Sequence, residues 1–352
     1  MKSKLFIGRL NEGLTQGSDG VVLKNRFFFN YLHSKIPIDF IDLDILKKRH
    51  FGYILSSWFK LLRQALLGGG VIIGSGGSDP SCKLIRIVRC ATLGKPIWIL
   101  GLGGNMHEYI VSSRANLGIM SKTKAILAEG RKMVEVLQNA GLKQTYYLPN
   151  FKDIEYIPKK VARNDDVVKF VFFARVHRAK GCEEIFEAAR ALNNKGLHDK
   201  FEVHFYGYEA ADYQREFEKN LSQSEANLSY EGARDTTLPE TYHELASYDA
   251  MLFPTFWGDE GFPATIVDAF IAGLPVIATD WKCNGELIED GKNGFLIPIK
   301  SPVALAERMK WFIEHKDCIP KMAEQIQKVA VNYDIKKLLS DDFLKKIGLL
   351  PQ

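Results

Sequence analysis

Cysteine is scarce in this chain: Cys82, Cys90, Cys182, Cys283 and Cys318 are an odd set of five with no CxxC pair. That excludes a disulfide framework and a paired-cysteine zinc site. It fits a reducing compartment, with the thiols acting as small buried hydrophobes. Long apolar runs are also missing. A bilayer-crossing helix needs about 20 consecutive apolar residues, and the runs here have only the length of strands. Between Lys4 and Arg9 stands LFIG, less than half of a secretory signal core, so a cytoplasmic protein is expected. Low-complexity tracts are absent. With 46% apolar, 25% charged and 11% aromatic residues, the composition is that of a folded globular protein. At 352 residues the chain exceeds the usual span of one domain, and two are expected.

Charge is unevenly spread. Residues 1–150 hold 21 Lys and Arg against 9 Asp and Glu, a net +12, whereas the remainder holds 26 against 33, a net −7. A basic first half points to an anionic partner surface. Nucleic acid is set aside, because the cations are scattered along helices and not interleaved with aromatics in a recognisable module. An anionic membrane surface fits better, through Lys47 to Arg49 and the segment from Trp58 to Arg63, since each cation near an anionic leaflet gains roughly 1 kcal/mol. The expected location is therefore cytoplasmic and peripheral on the inner membrane face.

Short β-branched runs alternate with amphipathic stretches, the βαβ pattern of parallel sheets covered by helices. Strands are expected at 4–8, 39–43, 71–74, 96–100, 125–128 and 146–148, with helices at 22–34, 55–66 and 81–93. The second half places strands at 169–173, 202–207, 250–254, 276–278 and 294–297. The stretch 151–166, with its alternating charge and no periodicity, reads as a linker between domains at 1–150 and 167–330. Residues 331–352 form a closing segment, with 333–349 read as a helix that packs back on the first domain.

In open α/β sheets, ligands bind beyond the carboxyl ends of strands. Three glycine-bearing loops occupy such places in the first half: NEGLTQGSDG with Gly17, GSGGSD, and GLGGNMHEY with His107. None completes GxGxxG with an acidic residue at the next strand end, so no dinucleotide cofactor is expected. His107 is a candidate to meet a substrate hydroxyl. In the second half, FFARVHRAKGCEEIFEAA brings Arg175, Arg178 and Lys180 to a helix start opened by Gly181. Fixed cations, backbone amides and the helix dipole together suit a diphosphate. FPTFWGDEGFPATIVDAF follows, with Pro263 in the first helical turn. Side chains on a helix lean toward its N-terminus, so Asp268 can point at the same cavity as Glu260, and each carboxylate suits a vicinal diol. Thr265 and the amides near Gly261 and Phe262 would add donors for phosphate oxygens. The DLD of Asp42 to Asp44 mimics a metal-binding DxD, but it ends a strand, and a turn role is expected; no metal is invoked.

Arg175 with Lys180 five residues on, then Glu260-GFPATIV-Asp268 and AGLPVIATD, resembles the nucleotide-sugar domain of glycosyltransferase family 4. The likeness extends through LPNFKD, YEGARDTTLPETYHELASYDAMLFPT and GELIEDGKNGFLIP, over most of 146–300, and is looser in the first half. It implies an α/β GT-B architecture of two Rossmann-like domains facing across a cleft, with the acceptor on the first and a nucleotide-diphosphate sugar on the second. It also implies metal-free transfer with retention of anomeric configuration. On this reading Arg175 and Lys180 offset the charge of the departing diphosphate, Glu260 holds sugar hydroxyls and Asp268 the ribose. The family's second Glu is Asp268 here, and its histidine before the paired glycines is Leu102, a loss for which His107 would compensate. The expected function is a retaining glycosyltransferase building bacterial surface polysaccharide on a glycan or lipid-linked acceptor. A noncatalytic sugar-nucleotide-binding partner of a transferase and a nucleotide-sugar epimerase of the same shape are the alternatives.

Overall fold

The computed structural model describes residues 2–10, 20–48, 50–76, 79–161 and 165–352. It contains two compact units, one of residues 1–153 and 333–352, the other of residues 154–332. The first unit carries β1 (Lys4–Gly8), β2 (Ile38–Asp42), β3 (Val71–Gly76), β4 (Ile97–Leu102), β5 (Ala125–Ala128) and β6 (Thr145–Tyr147). The second carries β7 (Val168–Phe173), β8 (Phe201–Tyr206), β9 (Leu228–Tyr230), β10 (Ala250–Phe253), β11 (Val276–Thr279) and β12 (Gly294–Ile297). Every strand pair is parallel. Helices cover both faces of such sheets, which is why KLFIG, AILA and VIAT read as unbroken apolar runs and are buried throughout.

Strand order decides where ligands can sit. The first sheet runs β2-β1-β3-β4-β5-β6 and the second β12-β11-β10-β7-β8-β9. The second is the Rossmann order, reversing direction between β7 and β10, and the loops leaving those two strands flank the crevice that such a reversal opens. In the first sheet the reversal falls between β1 and β3.

The closing segment belongs to the first unit. Ile335, Leu339, Leu344, Ile347 and Leu349 join Phe6, Phe28, Trp98 and Leu127 in one core, and Trp98 Nε1 donates to the Ile347 carbonyl at 2.7 Å. The segment is not one helix, however. It breaks into Ile335–Leu338 and Asp341–Lys346, because Asp334 and Ser340 each cap a new turn, accepting from Lys336 N and Phe343 N. Two residues of the expected linker are also core residues of this unit: Phe151 is buried in its apolar cluster, and Lys152 donates its amide to Tyr333 O at 3.0 Å. The chain passes to the second unit after Asp153.

Candidate active site

The two loops at the β7/β10 reversal are sewn together. After β7 the chain runs extended to His177, whose Nδ1 accepts from Ala179 N at 2.9 Å and caps a 3-10 turn, Arg178–Lys180. Gly181 then turns the chain into the helix Cys182–Asn193 with φ +88°; a Cβ there would lie 2.4 Å from the Pro254 carbonyl oxygen, so only glycine lets this turn rest on the end of β10. On the other side Thr255 is fully buried. Its carbonyl accepts from Thr279 Oγ1 at 2.5 Å, and Phe256 N donates to Ala179 O at 2.9 Å.

These bonds bring Lys180 Nζ to 2.5 Å from Glu260 Oε2, with side-chain exposures of 16% and 10%. Thr255 Oγ1 donates to the same Glu260 oxygen at 2.9 Å. Glu260 Oε1 has no further polar partner among the described residues and is left to accept. The ammonium also sits over the rings of Phe253 and Trp257, 5.7 and 5.9 Å from their centroids, a cation–π arrangement. A half-buried cation with two unused protons beside a carboxylate with one unused oxygen can hold a phosphate oxygen and a hydroxyl at neighbouring points.

The other expected members divide. Arg175 is exposed and has no polar partner among the described residues. Arg178 does not join the cluster: it pairs with Glu216 and lies over the Tyr213 ring, 5.6 Å from its centroid. Gly261 is partly open, and Phe262 and Pro263 are buried just before the helix Ala264–Ile271, so Pro263 caps the helix instead of entering its first turn. The Thr265 hydroxyl donates to the Phe173 carbonyl at 2.5 Å, so its proton is spent on β7 and not on a phosphate.

Asp268 is buried on that helix, but its Oδ1 accepts from Tyr242 at 2.7 Å, where a neighbouring helix, Pro239–Leu245, packs against it. The two carboxylates therefore have separate supports: Lys180 and Thr255 for Glu260, Tyr242 for Asp268. Burial, then the Asp268 charge, hold the Tyr242 phenol well above its ordinary pKa, so it stays a donor. Sequence reasoning missed Tyr242; its one signal was a tyrosine within the 230–255 stretch that carries the family likeness. If Tyr242 positions Asp268 for a ligand, Tyr242→Phe should weaken donor binding by about three- to tenfold, the worth of one hydrogen bond. A raised KM with unchanged kcat in steady-state kinetics is the expected signature; an unchanged KM would make the bond purely structural.

In the first unit, His107 lies on the helix Met106–Val111 with Nε2 4.0 Å from Glu108 Oε1. Gly17 lies outside the described residues. Asp42 caps the helix Leu43–Lys47 by accepting from Asp44 N at 2.9 Å, and Asp44 pairs with Arg9 at 3.0 Å, so DLD is spent on local structure. Sequence reasoning also missed a buried ion pair at the carboxyl edge of this sheet. Lys24 Nζ lies 2.8 Å from Glu129 Oε1, with side-chain exposures of 1% and 5%, and Glu129 Oε2 accepts from Gly103 N at 3.3 Å in the loop before His107.

Two doubly wound parallel sheets, each with a reversal of strand order, make this an α/β protein of the GT-B fold. The profile described as "Glycosyl transferases group 1" matches residues 153–332, and the chain belongs to that family. It is 23% identical over 333 residues, 92% of this chain and 81% of the relative, to N,N'-diacetylbacillosaminyl-diphospho-undecaprenol alpha-1,3-N-acetylgalactosaminyltransferase of Campylobacter jejuni. It is 26% identical over 49% of its length, and 45% of the relative's, to a putative colanic acid biosynthesis glycosyltransferase, WcaL, of Salmonella typhimurium. Among solved structures, Anabaena Alr3699/HepE in complex with UDP and glucose superposes with a TM-score of 0.71 at 17% identity, covering 99% of this chain and all of that one. The lipopolysaccharide outer core galactosyltransferase WaaB superposes at 0.63 and 16%, with the same coverage. The protein is a GT-B glycosyltransferase.

Proposed function

We propose that this glycosyltransferase is a retaining, metal-independent member of family 4 that moves a sugar from a nucleotide-diphosphate sugar to a glycan or lipid-linked acceptor, in bacterial surface polysaccharide synthesis at the cytoplasmic membrane face. The observation that carries the reading is the Lys180–Glu260 contact at 2.5 Å, built by loops from two adjacent strands. Relatives whose names specify a diphospho-undecaprenol acceptor and colanic acid biosynthesis support the acceptor class.

In this mechanism Lys180, and Arg175 from the exposed loop after β7, neutralise charge that grows on the departing diphosphate. Glu260 Oε1 accepts from hydroxyls of the transferred sugar. The bond from the anomeric carbon to the diphosphate oxygen breaks as the bond to the acceptor oxygen forms on the same face, and the acceptor proton passes to a diphosphate oxygen. Asp268, steadied by Tyr242, takes the ribose.

A panel of nucleotide sugars tested by thermal shift identifies the donor, since a ligand at a hundredfold its Kd stabilises the native state by about 2.7 kcal/mol. With that donor and a lipid-linked acceptor, NMR of the product should show the donor's anomeric configuration, at a rate unchanged by EDTA. Inversion would remove the retaining assignment, and loss in EDTA restored by Mn²⁺ would remove metal independence. Donor consumption without acceptor would mark an epimerase or hydrolase, and donor binding without any turnover a noncatalytic partner.

A further inference from the structure

The helix Phe51–Leu67 of the first unit faces the wrong way for a helix of a globular protein. Its buried side chains are Ser57, Gln64 and Ala65, and polar contacts hold that face inward: Gln64 Nε2 donates to Ser3 O at 3.1 Å and Gly70 O at 2.5 Å, and the Asp42 amide donates to Tyr53 Oη at 2.7 Å. Phe51, Leu55, Trp58, Phe59, Leu62 and Leu66 are between 56% and 80% exposed. At 100° per residue these six fall within one stripe about 100° wide, and fifteen residues of rise make it about 22 Å long. A stripe of this size on a protein surface marks an interaction site.

Charge selects the partner. From residue 45 to residue 78 the chain has no acidic residue but carries Lys47, Lys48, Arg49, Lys60 and Arg63. Lys60 is spent on Asp39 at 2.8 Å, whereas Lys47, Lys48 and Arg63 are exposed without polar partners among the described residues. A second copy of the same face would set these cations against each other. An anionic bilayer would not: it takes large apolar side chains below the headgroups, tryptophan at the boundary, and cations against the phosphates. Among the described residues no helix is long and apolar enough to cross a membrane.

We infer that the helix Phe51–Leu67 lies in the plane of an anionic membrane and inserts its Phe51-to-Leu66 stripe. This deepens the lipid-linked acceptor reading while standing on different residues, and it predicts more than charge attraction: high salt should weaken attachment without abolishing it, because inserted apolar area is not screened. The test is co-sedimentation of the full chain with vesicles of equal parts phosphatidylglycerol and phosphatidylcholine, and with phosphatidylcholine alone. Expected are preference for the anionic vesicles, partial retention in high salt, and quenching of Trp58 by brominated acyl chains, read as the difference from Trp58→Tyr. Phe59→Ser/Leu62→Ser alters exposed positions only and should lower partitioning by about tenfold or more at any salt, while Lys47→Glu/Lys48→Glu should act mainly at low salt. Unchanged partitioning of the serine variant overturns the proposal. So does a dimer in sedimentation velocity that this variant dissolves while vesicles bind neither form, which would assign the stripe to a second copy. The donor-induced thermal shift of the same variants reports on the transfer reading separately.

Discussion

Lys180→Ala should lower kcat by about 10²- to 10³-fold, because removing one fixed donor from the charge that develops in a transition state costs roughly 2.7–4 kcal/mol. The ammonium sits in a setting that magnifies its effect. It is 16% exposed, flanked by two aromatic faces, and bound to a carboxylate that is itself 10% exposed. On the proposed reading, its two remaining protons serve diphosphate oxygens of the donor while Glu260 holds the third. Glu260→Gln should cost a similar factor for a different reason: the amide retains the shape and can still accept from Thr255 Oγ1, but it loses the charge that orients Lys180. Since both act through one contact, Lys180→Ala/Glu260→Ala should be much less damaging than the product of the single losses. The measurement is single-turnover transfer at saturating donor, with thermal melting alongside to separate chemistry from folding. Strict multiplicativity, or near-wild-type kcat in Lys180→Ala, would remove the diphosphate assignment.

That contact was legible in the sequence as two separate motifs, an Arg-Lys pair after one strand and a Glu after another. What joined them was strand order. Neither spacing nor composition states that β7 lies beside β10, with β8 and β9 between them in sequence. The Rossmann order does, and Gly181 against Pro254 makes the join tight. Thr265 and Arg178 are engaged by local partners instead of pointing at Lys180 and Glu260. Thr265 found the free carbonyl of Phe173 at a strand end, and Arg178 found Glu216 one helix away. Hydrogen-bond donors near strand termini are claimed by whatever acceptor the fold brings first, and a linear motif does not name that acceptor.

Elements were legible where burial is two-sided. Runs such as FVFF and AILA appear as strands because parallel sheets bury both faces. β9 was missed because Leu228–Tyr230 is three residues at a sheet edge, with one buried and two half-exposed side chains. The helix Phe51–Leu67 was visible as a helix, but its orientation was not. Amphipathic periodicity is symmetric with respect to which face turns inward, and here Gln64 and Tyr53 anchor the polar side to the sheet edge.

Lys24→Met should destabilise the first unit by about 3–5 kcal/mol, the cost of breaking a buried ion pair by removing one partner. The pair is nearly solvent-free, at 1% and 5% exposure, and the Glu129 carboxylate would keep the Gly103 amide at 3.3 Å while losing its cation. The effect should be visible as a lower melting temperature and as faster amide hydrogen exchange in Ala125–Ala128 and around Gly103, where local opening becomes easier. Lys24→Met/Glu129→Leu should recover most of the stability, since an apolar pair of similar volume needs no compensation. The function of the loop need not recover with it: Glu129 holds the backbone three residues before the helix Met106–Val111 that carries His107. A double variant that melts like the wild type but transfers poorly to acceptor, with its donor-induced thermal shift intact, would identify this pair as a positioning device for the first unit's loop. A cost below about 1 kcal/mol for Lys24→Met would instead mean that water reaches Glu129 and that the Gly103 loop is held by other contacts.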